Sequence, residues 1–94
     1  MNTRDFAKKM SRVSKNVLKA LLPSLGLKNR VERVIYLRYI EEDSLYDIAK
    51  ELGMSYESCS NYLCIARVEM LRTIEQDYDI VSDDTRKLID KLLQ

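Results

Sequence analysis

Histidine and tryptophan are absent from this 94-residue chain, which also holds only two glycines, two cysteines and one proline. Without histidine, the sequence lacks the commonest general base and transition-metal ligand. It also lacks a glycine-rich phosphate loop and any cysteine or carboxylate cluster with the spacing of metal ligands. We therefore expect neither an enzyme nor a protein that depends on a metal or another cofactor.

Long apolar runs and paired cysteines are missing as well. No run of eighteen apolar residues is present, so we expect no membrane-spanning segment. We expect no membrane partner either, because the apolar side of the first predicted helix is needed to bury the rest of a small domain. The N-terminal segment is charged from Arg4 onward and lacks the apolar core of a signal peptide. Cys59 and Cys64 are five positions apart on one predicted helix, where they point in different directions. Without a disulfide framework, the sequence indicates a cytoplasmic protein.

The scarcity of glycine and proline, with apolar residues every three or four positions, predicts an all-α fold. We predict five helices, at about residues 3–22, 28–40, 44–52, 55–76 and 83–93. The chain is long enough for one small core, so we expect a single domain over residues 1–94. Its parts are a basic amphipathic helix with its connector (1–27), a helix-turn-helix core (28–76), and a linker with a C-terminal helix (77–94).

Charge is distributed unevenly along the chain. Residues 1–38 hold ten basic and two acidic residues, whereas residues 39–94 hold six basic and thirteen acidic ones, giving net charges of +8 and −7. In the first predicted helix, a basic stripe lies opposite an apolar one. The basic stripe consists of Lys8, Arg12, Lys15 and Lys19. This asymmetry indicates an anion-binding end, or two halves that neutralise each other on folding.

The stretch "SLYDIAKELGMSYESCSNYL", residues 44–63, has the pattern of a helix-turn-helix. Ala49 falls where two crossing helices leave room for only a methyl group, and Gly53 falls where the turn needs a positive φ. Ser44 and Ser55 are placed to cap the two helices. The positions that should face inward are all filled acceptably: Ile48, Leu52, Met54, Cys59 and Tyr62.

The second helix of such a motif enters the DNA major groove by its N-terminal residues. Here we expect the recognition helix over about residues 55–67. Its predicted outward residues are Ser55, Tyr56, Glu57, Ser58, Ser60, Asn61 and Cys64. Asn61 has the chemistry to pair with adenine, and Glu57 can accept from cytosine. Phosphate contacts would come from basic residues at other positions. These predicted contacts are Lys28, Arg30, Arg33, Arg38 and the basic stripe (Lys8, Arg12, Lys15 and Lys19), or else Arg67 and Arg72.

Three segments within residues 20–72 share a further pattern: "RVIYLRY" (33–39), "DIAKELG" (47–53) and "SYESCSNYLCIARVEML" (55–71). With these segments, residues 20–72, a little over half of the chain, resemble region 4 of bacterial sigma factors. Small phage regulators of late genes and response-regulator output domains share this combination. The resemblance implies a sigma region 4-like helical fold, double-stranded DNA as the partner, and a role in phage or bacterial transcription.

Two functions follow from these observations. The first is a sequence-specific, DNA-binding transcriptional regulator that acts as a homodimer. Apolar residues on more than one face of the fourth predicted helix are available for dimerisation, unless other helices of the same chain cover them. The second is a module that binds RNA polymerase, a sigma factor or another regulator without contacting DNA. The acidic segment 41–94 and the lack of lysine and arginine in the first turns of the recognition helix favour this alternative.

Overall fold

Helices form all the regular structure of the protein. The computed structural model describes residues 1–94 and contains no β-strand, which confirms the predicted all-α class. The α-helices are α1 (Thr3–Arg12), α2 (Lys15–Leu21), α3 (Asn29–Tyr39), α4 (Leu45–Leu52), α5 (Tyr56–Asp77) and α6 (Asp83–Leu93). A short 3-10 helix, Leu22–Leu25, joins α2 to α3. None of these helices has the length and apolar character that crossing a membrane requires.

The long helix α5 organises the packing. Three other helices, α1, α3 and α4, lie against it, and α6 packs against α1 and α2. The buried residues of α5 recur every three or four positions, as expected for one helix face. They are Cys59, Leu63, Ala66, Met70, Leu71 and Ile74. Together with apolar residues of the other helices they form one continuous core.

The prediction of a single first helix over residues 3–22 is wrong. Val13 and Ser14 are extended (ψ 154° and 135°), and they separate α1 from α2. The hydroxyl oxygen of Ser14 accepts a hydrogen bond from the backbone N–H of Asn16 at 3.2 Å, so it caps a new helix. This break lets α1 pack against α5 and α6 while α2 packs against α6. It also interrupts the predicted basic stripe between Arg12 and Lys15.

The other four predicted helices agree with the structure to within one or two residues. The caps of α4 and α5 are also as expected: Ser44 Oγ accepts from the backbone N–H of Asp47 at 3.1 Å, and Ser55 Oγ accepts from that of Ser58 at 3.1 Å. At the start of α1, the pattern of the first turn predicts Thr3 as the cap, but the cap is Asn2, whose side chain accepts from the backbone N–H of Asp5 at 2.8 Å.

The turn between α5 and α6 is held by side chains of α6. Arg86 donates hydrogen bonds to the backbone carbonyls of Tyr78, Asp79 and Val81, at distances of 3.0 to 3.3 Å. The Tyr78 hydroxyl donates to Asp90 Oδ1 at 2.7 Å. This hydrogen bond to a carboxylate, together with burial, raises the pKa of Tyr78 above its ordinary value.

We expect Ala49→Leu to destabilise the protein by about 1–3 kcal/mol, because Ala49 is buried (4% exposed) on α4, which packs against α5, and the added atoms would overpack that contact. Thermal melts followed by circular dichroism measure the change. Lys50→Leu, at the exposed neighbouring position, is the matched control and should melt close to the wild type. An unchanged melting temperature for Ala49→Leu would contradict the close approach of the two helices.

We expect Tyr78→Phe to lower stability at neutral pH by removing the hydrogen bond to Asp90. Because the pKa of Tyr78 is raised in the folded state, the stabilisation is fully present below the unfolded pKa of about 10 and is lost as the pH rises through the folded pKa. The difference in melting temperature between wild type and variant should therefore shrink above about pH 10. Tyr36→Phe removes a hydroxyl without a hydrogen-bond partner in the chain and is the matched control for loss of a hydroxyl group alone.

Candidate nucleic-acid interface

The turn between α4 and α5 has the geometry of a helix-turn-helix. Gly53 adopts φ 67° and ends α4, and the backbone N–H of Met54 donates to the carbonyl of Ala49 at 2.9 Å. Ile48 and Cys59 are fully buried on the facing sides of α4 and α5. Leu52, Met54 and Tyr62, also predicted to face inward, are half-buried against the same core. The predicted register of the motif is therefore confirmed.

The first turns of α5 present a row of polar side chains to solvent. Ser55, Tyr56, Glu57, Ser58, Asn61 and Cys64 are exposed, as predicted, and Ser60 is half-buried. The side chains of Glu57 and Asn61 lie one helical turn apart and make no hydrogen bond within the protein. Their acceptors and donors are thus available to the edges of base pairs, or to polar groups of another partner.

A pair of tyrosines borders this row. Tyr46 on α4 and Tyr56 on α5 are 71% and 54% exposed, and their ring centroids are 6.4 Å apart. The sequence pattern predicted Tyr56 as a site residue but not Tyr46, since no local pattern relates two positions on different helices. The turn brings them together, and such amphipathic rings are suited to contact a partner.

The basic residues predicted to bind phosphate do not form one surface. Lys15 pairs with Glu42 at 3.0 Å and Arg33 with Glu51 at 3.0 Å, so both already have a carboxylate partner. Arg30 donates to the carbonyl of Leu52 at 3.4 Å. Lys19 and Lys28 are exposed and make no ion pair, but Lys19 is on α2, which packs against α6 rather than α5.

Arg38 and Arg67, in contrast, come together beside α1. They line an open cleft of about 270 Å³ between α1, α3 and α5, with Lys8 and Arg12 from α1. Arg67 Nε donates to the hydroxyl of Tyr39 at 2.6 Å. The sequence placed Lys8 and Arg12 on the basic stripe, but gave no sign that they meet two arginines from other helices.

The two cysteines differ in environment, as their spacing predicted. Cys59 is fully buried, and burial raises the pKa of its thiol above the ordinary value, whereas Cys64 is exposed on the outer side of α5. Both thiols are free. No group of three or more cysteine, aspartate or glutamate side chains is arranged to hold a metal ion.

Comparison of the chain with protein-family models, with curated proteins and with solved structures finds no match.

We expect iodoacetamide to alkylate Cys64 much faster than Cys59, because alkylation requires an accessible thiolate. Mass spectrometry of peptides from the native protein measures the two rates. In denaturant the two residues should react at similar rates, which controls for sequence context. Rapid alkylation of Cys59 in the native protein would contradict the packing between α4 and α5.

Proposed function

We propose that this protein is a sequence-specific, double-stranded DNA-binding transcriptional regulator, with α5 as its recognition helix. The observation that carries the proposal is the polar row on the first turns of α5, presented by a helix-turn-helix whose other side is buried. The amide of Asn61 matches the donor and acceptor of adenine in the major groove. Glu57, one turn earlier, can accept from the amino group of cytosine.

The resemblance of residues 20–72 to sigma region 4 supports the same proposal, because helices of that type act in phage and bacterial transcription. Residues 33–39, 47–53 and 55–71, which carry the resemblance, form α3, α4 and most of α5 in this structure. The proposed setting is the cytoplasm, where a DNA-bound regulator would also have access to RNA polymerase.

A homodimer is part of the proposal, because one recognition helix contacts few base pairs and two half-sites increase affinity and specificity. Met70, Leu71 and Ile74 are buried within the chain and are not available for dimerisation. Ile65 and Val68 remain 52% and 39% exposed on α5. These two residues are the apolar surface that a second copy would cover.

We expect Asn61→Ala to weaken binding to the preferred DNA site by about 5- to 150-fold, equivalent to about 1–3 kcal/mol, while binding to unrelated DNA changes little. Selection from a random duplex library first identifies the preferred site, and fluorescence anisotropy then measures both affinities. Gln76→Ala removes an exposed amide from the far end of the same helix and is the matched control.

Circular dichroism melts establish that both variants are folded. If Asn61→Ala binds the selected site as tightly as the wild type and the Gln76→Ala control, α5 is not the helix that recognises bases. A wild-type protein that selects no sequence would contradict the proposal more directly.

The second candidate is a module that binds RNA polymerase or another regulator without DNA. Its specific support is the exposed pair Tyr46 and Tyr56, together with the absence of lysine and arginine from residues 55–66. Salt distinguishes the two functions: DNA affinity should fall steeply, with a logarithmic slope of about 0.9 per phosphate neutralised. A protein-binding module would instead form a stable complex with its partner when no DNA is present.

A further inference from the structure

We propose that the cleft between α1, α3 and α5 is a phosphate-binding site formed by Lys8, Arg12, Arg38 and Arg67. These four side chains define the basic cleft. Its ligand is a phosphate group, supplied by the DNA backbone or by a free phosphorylated molecule. Only the DNA source depends on the proposed function, because a free phosphate would bind this cleft whether or not α5 recognises bases.

The charge of the basic cleft supports an anionic ligand. Four of the residues that line it are cationic, and none is acidic. The ion pairs of the protein involve the N-terminus, Lys15, Arg33 and Arg86, so none of the four cations in the cleft has a carboxylate partner. Cations that share a small volume repel one another, and a bound anion removes that repulsion.

The two arginines are held in place by protein contacts. Arg67 Nε donates to the Tyr39 hydroxyl at 2.6 Å, and its guanidinium carbon lies 5.7 Å from the centroid of the Tyr39 ring. Arg38 Nη1 donates to the carbonyl of Asp43 at 3.1 Å. Both side chains are half-buried, which limits the freedom they would lose on binding.

Hydrogen-bond donors remain free after these contacts. The terminal nitrogens of Arg67 have no acceptor in the protein, and Arg38 uses only one of its own. The Tyr39 hydroxyl accepts from Arg67 and keeps its own proton for donation. A guanidinium whose N–H groups form a planar fork matches the oxygens of a phosphate, which it can bind with two parallel hydrogen bonds.

The position of the basic cleft favours a phosphate of the DNA backbone. Arg67 follows Ser60 by seven residues and Cys64 by three, so it lies on the same side of α5. With a rise of 1.5 Å per residue, it is about 10 Å along the axis from Ser60. A helix in the major groove is flanked by both sugar-phosphate backbones, and basic residues beside its exposed row are placed to contact them.

The test uses the full chain and two variants that lose the same charge. Lys8→Gln with Arg12→Gln removes two exposed cations from the basic cleft. Lys87→Gln with Lys91→Gln removes two exposed, unpaired cations from α6, outside the basic cleft, and is the matched control. Circular dichroism melts establish folding. Isothermal titration calorimetry with pyrophosphate at constant ionic strength measures the affinity for a free phosphate compound. Fluorescence anisotropy with an arbitrary 20-base-pair duplex at several salt concentrations measures the affinity for the DNA backbone.

For a DNA phosphate, the cleft variant should reduce the slope of log affinity against log salt by about one to two relative to the control. For a free phosphate, the cleft variant should lose at least about tenfold in pyrophosphate affinity while the control stays within about twofold. Either result supports the site. The proposal is overturned if the cleft and control variants behave alike in both titrations, whether binding persists or is absent.

Arg67→Lys supplies a second, independent measurement, since it keeps the charge and removes the planar fork. In whichever titration the wild type binds, this variant should bind at least about fivefold more weakly. If the variant binds as tightly as the wild type, the anion is attracted by net charge alone, and the proposal of a specific site is overturned. The pyrophosphate titration contains no DNA, and Asn61 is outside the basic cleft. The test of pyrophosphate binding is therefore independent of the outcome of the Asn61→Ala prediction.

Discussion

The buried side of α5 is the surface on which the other helices depend. Residues such as Cys59, Ala66 and Ile74 are almost completely enclosed, and α1, α3 and α4 all pack against this one helix. These three helices are eight to eleven residues long, too short to be stable alone in water. Their helical structure is therefore maintained by the apolar area that they bury against α5 and the shared core.

The same packing sets which part of α5 stays accessible. Toward its C-terminal end, Met70 and Ile74 are buried, whereas the first turns keep an exposed side. Asn61 and Glu57 lie on that exposed side. The exposure of the two residues proposed to recognise bases thus depends on how the core packs. A change in the core would alter both the packing and the position of these residues.

Folding neutralises part of the charge asymmetry and concentrates the remainder. Lys15 pairs with Glu42 and Arg33 with Glu51, each pair joining the basic part of the chain to the acidic part. These pairs are exposed, so they contribute little to stability. The four cations of the basic cleft acquire no such partner, which leaves a local positive charge on a protein whose net charge is only +1.

The sequence by itself determined the features that depend on neighbouring residues. The serine caps of α4 and α5, the positive φ of Gly53 and the inward positions of Ile48 and Cys59 all follow from local hydrogen bonding and helical periodicity. Only the tertiary structure decided the break at Ser14, the contact of Tyr46 with Tyr56, and the cleft that joins α1 to α3 and α5. These features depend on the crossing angles of helices that are distant in the chain, and local periodicity does not specify those angles.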